Sequence, residues 1–207
     1  MSDDMILRQL LGKNRDWAKR IEAEYPGFFE RSAAEKQRPK VLWIGCADSR
    51  APESVITESM PGEIFVHRNI ANQFHLDDDN ADALLTYAVE HVEVQHIIVV
   101  GHTQCGGVIA ARAAAEKPPK EPETSLERWL VPLVGLVREH LDEDLTALVE
   151  ANVRAQVDAI AQSHVVKEAW LDTERPGGLK IHGWVYELEH GHLRDLEYTI
   201  GKDGREF

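Results

Sequence analysis

Two stretches of this chain follow one plan, and together they narrow the fold more than any other feature. Val41-Leu42-Trp43-Ile44-Gly45 is an apolar run of strand length that ends in glycine and delivers Cys46-Ala47-Asp48-Ser49-Arg50 into a loop. Ile97-Ile98-Val99-Val100-Gly101 does the same for His102-Thr103-Gln104-Cys105-Gly106-Gly107. Apolar runs without alternation, rich in β-branched residues, read as parallel strands buried on both faces. In open parallel sheets the working groups gather beyond the carboxyl ends of the strands. The chain has two cysteines, one in each loop. Both are expected on the same edge of one sheet.

The remainder alternates strand and helix signals. Residues 1–38 read as helical, with Leu7, Leu10, Leu11, Trp17 and Ile21 at helical spacing and a break at Pro26-Gly27. These apolar groups need a surface, either the chain's own sheet or a partner subunit. A second strand is expected at 63–68, a helix over 80–91, and helices over 126–141 and 145–171. Leu179 to Leu188 and Leu193 to Ile200 flank a turn at 189–192 and read as a terminal hairpin. The fold class is therefore α/β, a mainly parallel sheet flanked by helices with an antiparallel edge from the hairpin. A single domain over 1–207 is expected, with a helical N-terminal arm at 1–38 and an α/β core at 39–207.

A formal net charge of −13 argues against a nucleic-acid partner, since no basic stripe is present to neutralise phosphates. No apolar run approaches the roughly 20 residues that span a bilayer, so no membrane association is expected. The N-terminus has neither a secretory apolar core nor an arginine-rich presequence, which makes the cytoplasm the expected location. In a reducing compartment a pair of cysteines serves metal binding or catalysis more often than a disulfide.

Thiolate and imidazole ligands suit zinc, and the three-residue offset of His102 and Cys105 puts both side chains on one side of a turn. Cys46 from the neighbouring strand end adds a second sulfur. Three protein ligands leave a fourth tetrahedral position open, the arrangement of a catalytic zinc. Asp48 beside it has two exclusive uses. Its carboxylate can orient a zinc-bound hydroxide, or it can occupy the open position as a fourth ligand. Arg50 would hold it off the metal through a bidentate pair. Gly106-Gly107 at a helix start is too weak a signal for an anion site, and His190 and His192 on the hairpin turn read as solvated.

Cys-Ala-Asp-Ser-Arg at 46–50 with His-Thr-Gln-Cys-Gly-Gly at 102–107 resembles the signature pair of the β-class carbonic anhydrases. Pro61-Gly62-Glu63, His67-Arg68-Asn69-Ile70-Ala71-Asn72 and Ile181-His182-Gly183-Trp184 fit the same family, and the resemblance runs from about residue 26 to the hairpin. It implies one zinc per chain held by Cys46, His102 and Cys105, with Asp48 and Arg50 as the catalytic dyad. The implied reaction is reversible hydration of carbon dioxide to bicarbonate and a proton, by attack of zinc-bound hydroxide. It also implies a homodimer or dimer of dimers, with N-terminal helices crossing to the partner subunit. A subset of the family binds bicarbonate in a second pocket, which would place Trp43, Arg68 and Tyr186 around that anion here.

Two other readings fit part of the pattern. A cysteine-nucleophile hydrolase would use Cys105 with His102 as base, and leaves Cys46 unexplained. A non-catalytic zinc module would use Asp48 as a permanent fourth ligand.

Overall fold

A computed structural model describes residues 3–175 and 177–206. The chain divides into two compact units, Met1–Gln37 and Arg38–Phe207.

In the first unit, helix α1 (Asp3–Glu24) turns into α2 (Phe28–Ala34). The turn uses Gly27 at φ 76°, a left-handed conformation that favours glycine. Glu22 accepts the Gly27 N–H at 2.6 Å, and Arg31 donates to the Pro26 carbonyl at 2.9 Å. Trp17 meets Phe29 edge to face at 5.6 Å. Met5, Ile6, Leu7, Leu10 and Leu11 of α1 are exposed.

The second unit is built on a six-stranded sheet of order β2-β1-β3-β4-β5-β6. Its strands are β1 (Val41–Cys46), β2 (Ile64–Asn69), β3 (His96–His102), β4 (Lys180–Glu187), β5 (His192–Gly201) and β6 (Gly204–Glu206). As the strand–helix alternation predicts, β2, β1, β3 and β4 run parallel, while β5 is antiparallel to β4. The sequence reading missed β6, which pairs antiparallel with β5.

Helices fill the crossovers: α3 (Glu53–Ile56), α4 (Asp79–Thr86), α5 (Gly106–Ala115), α6 (Ser125–Glu139), α7 (Leu145–Gln162) and α8 (His164–Leu171). Helix α4 runs on into a π turn, Tyr87–Val92, that ends at left-handed Glu93. A capping box between Thr124 and Glu127 starts α6. The single helix expected over 145–171 is two, because buried Ser163 takes extended dihedrals (φ −62°, ψ 149°) and stops α7. Hydrophobic periodicity does not register such a one-residue break. Among the described residues no helix is long and apolar enough to cross a membrane.

The sheet carries two apolar clusters. Leu42, Ile44, Cys46, Ile97, Val99, Ile181 and Val185 join the larger one, which includes Val149, Val153 and Val157 of α7. Trp43, Ile98, Val100 and Tyr186 belong to the smaller one with Ala51. Period-two alternation explains the division, since Leu42, Ile44 and Cys46 point one way and Trp43 the other. Gly101, one residue before the end of β3, lies against α7. A Cβ there would stand 2.6 Å from Val153 Cγ2 and 3.0 Å from Val149 Cγ1.

Gly101→Ala is therefore expected to overpack this contact and destabilise the fold by about 1–3 kcal/mol. Adding Val153→Ala should recover part of the loss by making room for the methyl. Urea midpoints of the wild type, both single variants and the double variant check this. Equal midpoints for wild type and Gly101→Ala would show that α7 is not held against the sheet at this point.

Candidate metal centre

Strands β1 and β3 are hydrogen-bonded neighbours in parallel register, with Trp43 opposite Ile98 and Gly45 opposite Val100. Their carboxyl ends therefore emerge side by side. Cys46 is the last residue of β1 and His102 the last of β3, while Cys105 is the N-cap of α5. Gln104, at φ 55°, turns the chain so that Cys105 swings back beside His102. The donor atoms of Cys46, His102 and Cys105 all lie within 4.8 Å of one another. All three residues are buried, at 7%, 1% and 1% exposure.

The donor chemistry fits a metal ion. His102 Nδ1 lies 2.8 Å from the Thr103 carbonyl, which can only accept, so Nδ1 carries the proton and Nε2 the lone pair. Nε2 is buried and has no hydrogen-bond partner. A buried lone pair left open beside two thiols is costly unless a further group meets it. A soft, tetrahedral divalent ion such as zinc suits two sulfurs and one imidazole nitrogen.

Without a metal, the two thiols and the imidazole interact with one another. Cys46 is lowered, first by the hydrogen bond from the Cys105 thiol, and this outweighs the opposing effect of burial. Cys105 is raised by the same contact and then by its own burial. For His102 burial disfavours the charge, but the Cys46 sulfur and the Thr103 carbonyl outweigh it and the pKa rises. Peptide N–H groups of Asp48 and Ala71 stabilise the Cys46 thiolate, and those of Gly107 and Val108 do so for Cys105. The latter pair opens α5, whose amino end favours negative charge.

Ala71 reaches Cys46 because the 3₁₀ turn Ile70–Asn72 holds it at φ 62°, ψ 30°, an uncommon conformation for alanine. A buried amide network maintains that turn. Asn152 of α7 donates to the Ala71 carbonyl at 3.0 Å and accepts from Gln73 at 2.6 Å, and Gln156 accepts the Phe74 N–H at 2.7 Å. Sequence reasoning did not single out Ala71, Gln73, Asn152 or Gln156. Polar residues on the apolar face of a helical pattern are the signal that would have flagged the last two.

Asp48 and Arg50 form a two-pronged ion pair, with Nε to Oδ1 at 3.0 Å and an Nη to Oδ2 at 2.8 Å. The Arg50 peptide N–H adds a third contact to Oδ1 at 2.9 Å. Arg50 beside it holds the Asp48 carboxyl well below the usual carboxylate range, against a smaller opposing effect of burial. Oδ2 stands 3.8 Å from His102 Nε2, so the carboxylate borders the donor cluster while both its oxygens face arginine.

Trp43 and Tyr186 share the smaller apolar cluster, away from Cys46. Arg68 points its guanidinium at the β1 loop, donating to the carbonyls of Cys46 at 2.8 Å and Asp48 at 2.6 Å, with Glu53 at 3.6 Å. His190 and His192 are exposed, as expected.

Comparison with known proteins decides the family. The family model for carbonic anhydrase matches residues 41–193. The chain belongs to the β-class carbonic anhydrase family. It is 36% identical over 197 residues to a carbonic anhydrase of Emericella nidulans, covering 91% of this chain and 82% of that protein. Among solved structures it is similar to a β-carbonic anhydrase of Aspergillus fumigatus, at 37% identity and a TM-score of 0.82 over 92% of this chain and 90% of that one. It is also similar to one of two tetrameric β-carbonic anhydrases of Sordaria macrospora, at 32% identity and a TM-score of 0.84 over 95% and 99% of the two chains.

The two glycines of this β-class member at the start of α5 make a matched test. A Cβ on Gly107 would stand 2.7 Å from Ala71 Cβ, whereas one on Gly106 meets nothing within 4 Å. Gly107→Ala is expected to push Ala71 off Cys46 and weaken metal retention about tenfold. Gly106→Ala should retain metal as the wild type does. Competition against a chromophoric chelator reads both, and equal retention by the two variants would remove Ala71 from the account.

Proposed function

We propose that this chain catalyses the reversible hydration of carbon dioxide to bicarbonate and a proton, with one zinc ion per chain held by Cys46, His102 and Cys105. The observation that carries the reading is the unpartnered Nε2 of His102, buried beside two thiols and bordered by a carboxylate already bound to arginine. When bound, zinc supplies Lewis acidity that makes a water molecule acidic enough to serve as a nucleophile near neutral pH.

The residues of the chain do the rest. The two thiolates balance the charge of a divalent ion, so the buried cluster carries no net charge once occupied. Asp48, ionised and acceptor-only, takes a hydrogen bond from the attacking water and turns its lone pair toward the carbon. Arg50 keeps that carboxylate charged and directed away from the donors, which leaves a position beside them for substrate. Asp48 turning from Arg50 to the donor cluster would fill that position and shut the site. Arg68 fixes the loop between these groups by holding the carbonyls on either side of Ala47.

The exposed apolar residues at the start of α1 support a homo-oligomer, in which these N-terminal helices cross to a partner subunit. The tetrameric state named for the Sordaria enzymes supports the same reading. Two thiols that must stay reduced to act as ligands support a cytoplasmic location.

Stopped-flow hydration of carbon dioxide by zinc-loaded protein tests the reaction. Strong activity at pH 8.5 that disappears on chelation is the expected result, and no turnover by protein carrying one zinc per chain would overturn the reading. Asp48→Asn keeps the shape but weakens the acceptor, and should lower kcat/KM by about 10²–10⁴-fold with zinc still bound.

Protons compete with zinc for the sulfurs, so the sign of the pH effect on binding is fixed. Cys105, whose pKa is raised, must lose its proton when metal enters. Apparent zinc affinity should therefore fall as pH falls, by roughly tenfold or more per unit. Chelator competition at pH 6.5, 7.5 and 8.5 measures it, and a pH-independent affinity would mean that the thiols are not the ligands.

A further inference from the structure

We infer that Glu189, an exposed residue on the β4–β5 turn, is a positioning residue for His102, acting through Thr103. Every polar group of Thr103 is engaged. Its peptide N–H donates to the Tyr186 carbonyl at 3.0 Å, and its own carbonyl accepts from His102 Nδ1 at 2.8 Å. Its hydroxyl accepts the Leu188 N–H at 2.9 Å and donates to Glu189 Oε2 at 2.6 Å. A continuous chain of contacts therefore runs from the turn carboxylate, through one threonine, to the ring whose other nitrogen faces the metal cluster.

The chemistry of each link gives it a direction. A carboxylate only accepts, so the Thr103 hydroxyl must send its proton to Glu189 and keep a lone pair for Leu188. The Glu189 carboxyl is held below its ordinary value, with the Thr103 hydroxyl as the first cause. A hydrogen bond to a charged acceptor is shorter and stronger than one between neutral groups. With its hydroxyl and N–H both anchored to the hairpin, Thr103 presents its carbonyl to Nδ1 at a fixed place. Partners of this kind orient metal-ligating imidazoles, and their loss costs 10- to 100-fold in affinity or activity. Position in the fold separates this role from general stability, since Glu189 is exposed and its removal leaves no cavity.

The inference rests on His102 being a zinc ligand of a carbon dioxide hydratase, as proposed above. The experiment takes the zinc-loaded full chain as wild type, Glu189→Ala, Glu189→Gln, Thr103→Val and the Glu189→Ala/Thr103→Val double variant. It reads zinc retention against a chelator, kcat and KM for carbon dioxide hydration, and the visible spectrum after cobalt substitution. Glu189→Ala is expected to weaken zinc retention about tenfold and to lower kcat more than it raises KM. Its cobalt spectrum should shift while the metal-free melting midpoint stays at the wild-type value. Glu189→Gln, which keeps an acceptor, should recover part of the loss, and the double variant should be no worse than Thr103→Val. Wild-type retention, kcat and spectrum in Glu189→Ala would overturn the inference, as would additive losses in the double variant. A wild type that binds zinc but does not turn over defeats the hydratase reading instead, and the retention and spectral arms still decide the role of Glu189.

Discussion

The site depends on the parallel pairing of β1 with β3. The two strands end at nearly the same level, and only that register brings Cys46 to the same depth as His102. A slip of one residue would turn Cys46 to the opposite face of the sheet and exchange Leu42 and Ile44 for Trp43. The packing forbids the slip, because Leu42 and Ile44 are completely buried on one side and Trp43 on the other. The hydrophobic pattern that makes these strands thus also sets the distance between the donors.

Around that pair, backbone rather than charge does most of the fixing. Peptide N–H groups at Asp48 and Ala71 face one sulfur, and those at Gly107 and Val108 face the other. Arg68 holds two carbonyls of the β1 loop, and Arg50 adds a longer contact of 3.4 Å to the Gln104 carbonyl. Arg50 thereby touches both signature loops, through Asp48 on one and Gln104 on the other. The net charge of −13 is spread over the whole chain, whereas the three donors are buried and act on one another first.

What could be read from the sequence follows from how local each feature is. Cys46, His102 and Cys105 were legible because their loops follow runs whose period identifies buried strands. The Asp48–Arg50 pair was legible because a single residue separates them in one turn. The amide network of Gln73, Asn152 and Gln156 was not, since its members lie about eighty positions apart and meet only once α7 packs on the sheet. The Thr103–Glu189 contact was hidden for the same reason, spanning 86 positions between two loops. The β6 strand was too short to show a period, and the break at Ser163 lies within one continuous apolar pattern. Trp43, Arg68 and Tyr186 are grouped around bicarbonate by resemblance alone. In the structure the arginine holds the carbonyls of Cys46 and Asp48, and the two aromatics share the smaller apolar cluster.

Burial of the donors links the site to the fold itself. In the unfolded chain the thiols and the imidazole are solvated, and Cys46 lies far along the chain from His102 and Cys105, so the three do not meet around one ion. Folding strips water from all three and leaves His102 Nε2 without a partner, an unfavourable term that the sheet and α7 must outweigh. An ion bound at this position reverses the sign of that term, because it meets the lone pair and both sulfurs at once. It would also join β1, β3 and α5, the three elements that supply the donors. The glycines then have one physical purpose in common. Gly101 lets α7 approach the sheet and Gly107 lets Ala71 approach α5, each by leaving out a side chain where two elements meet beside the site.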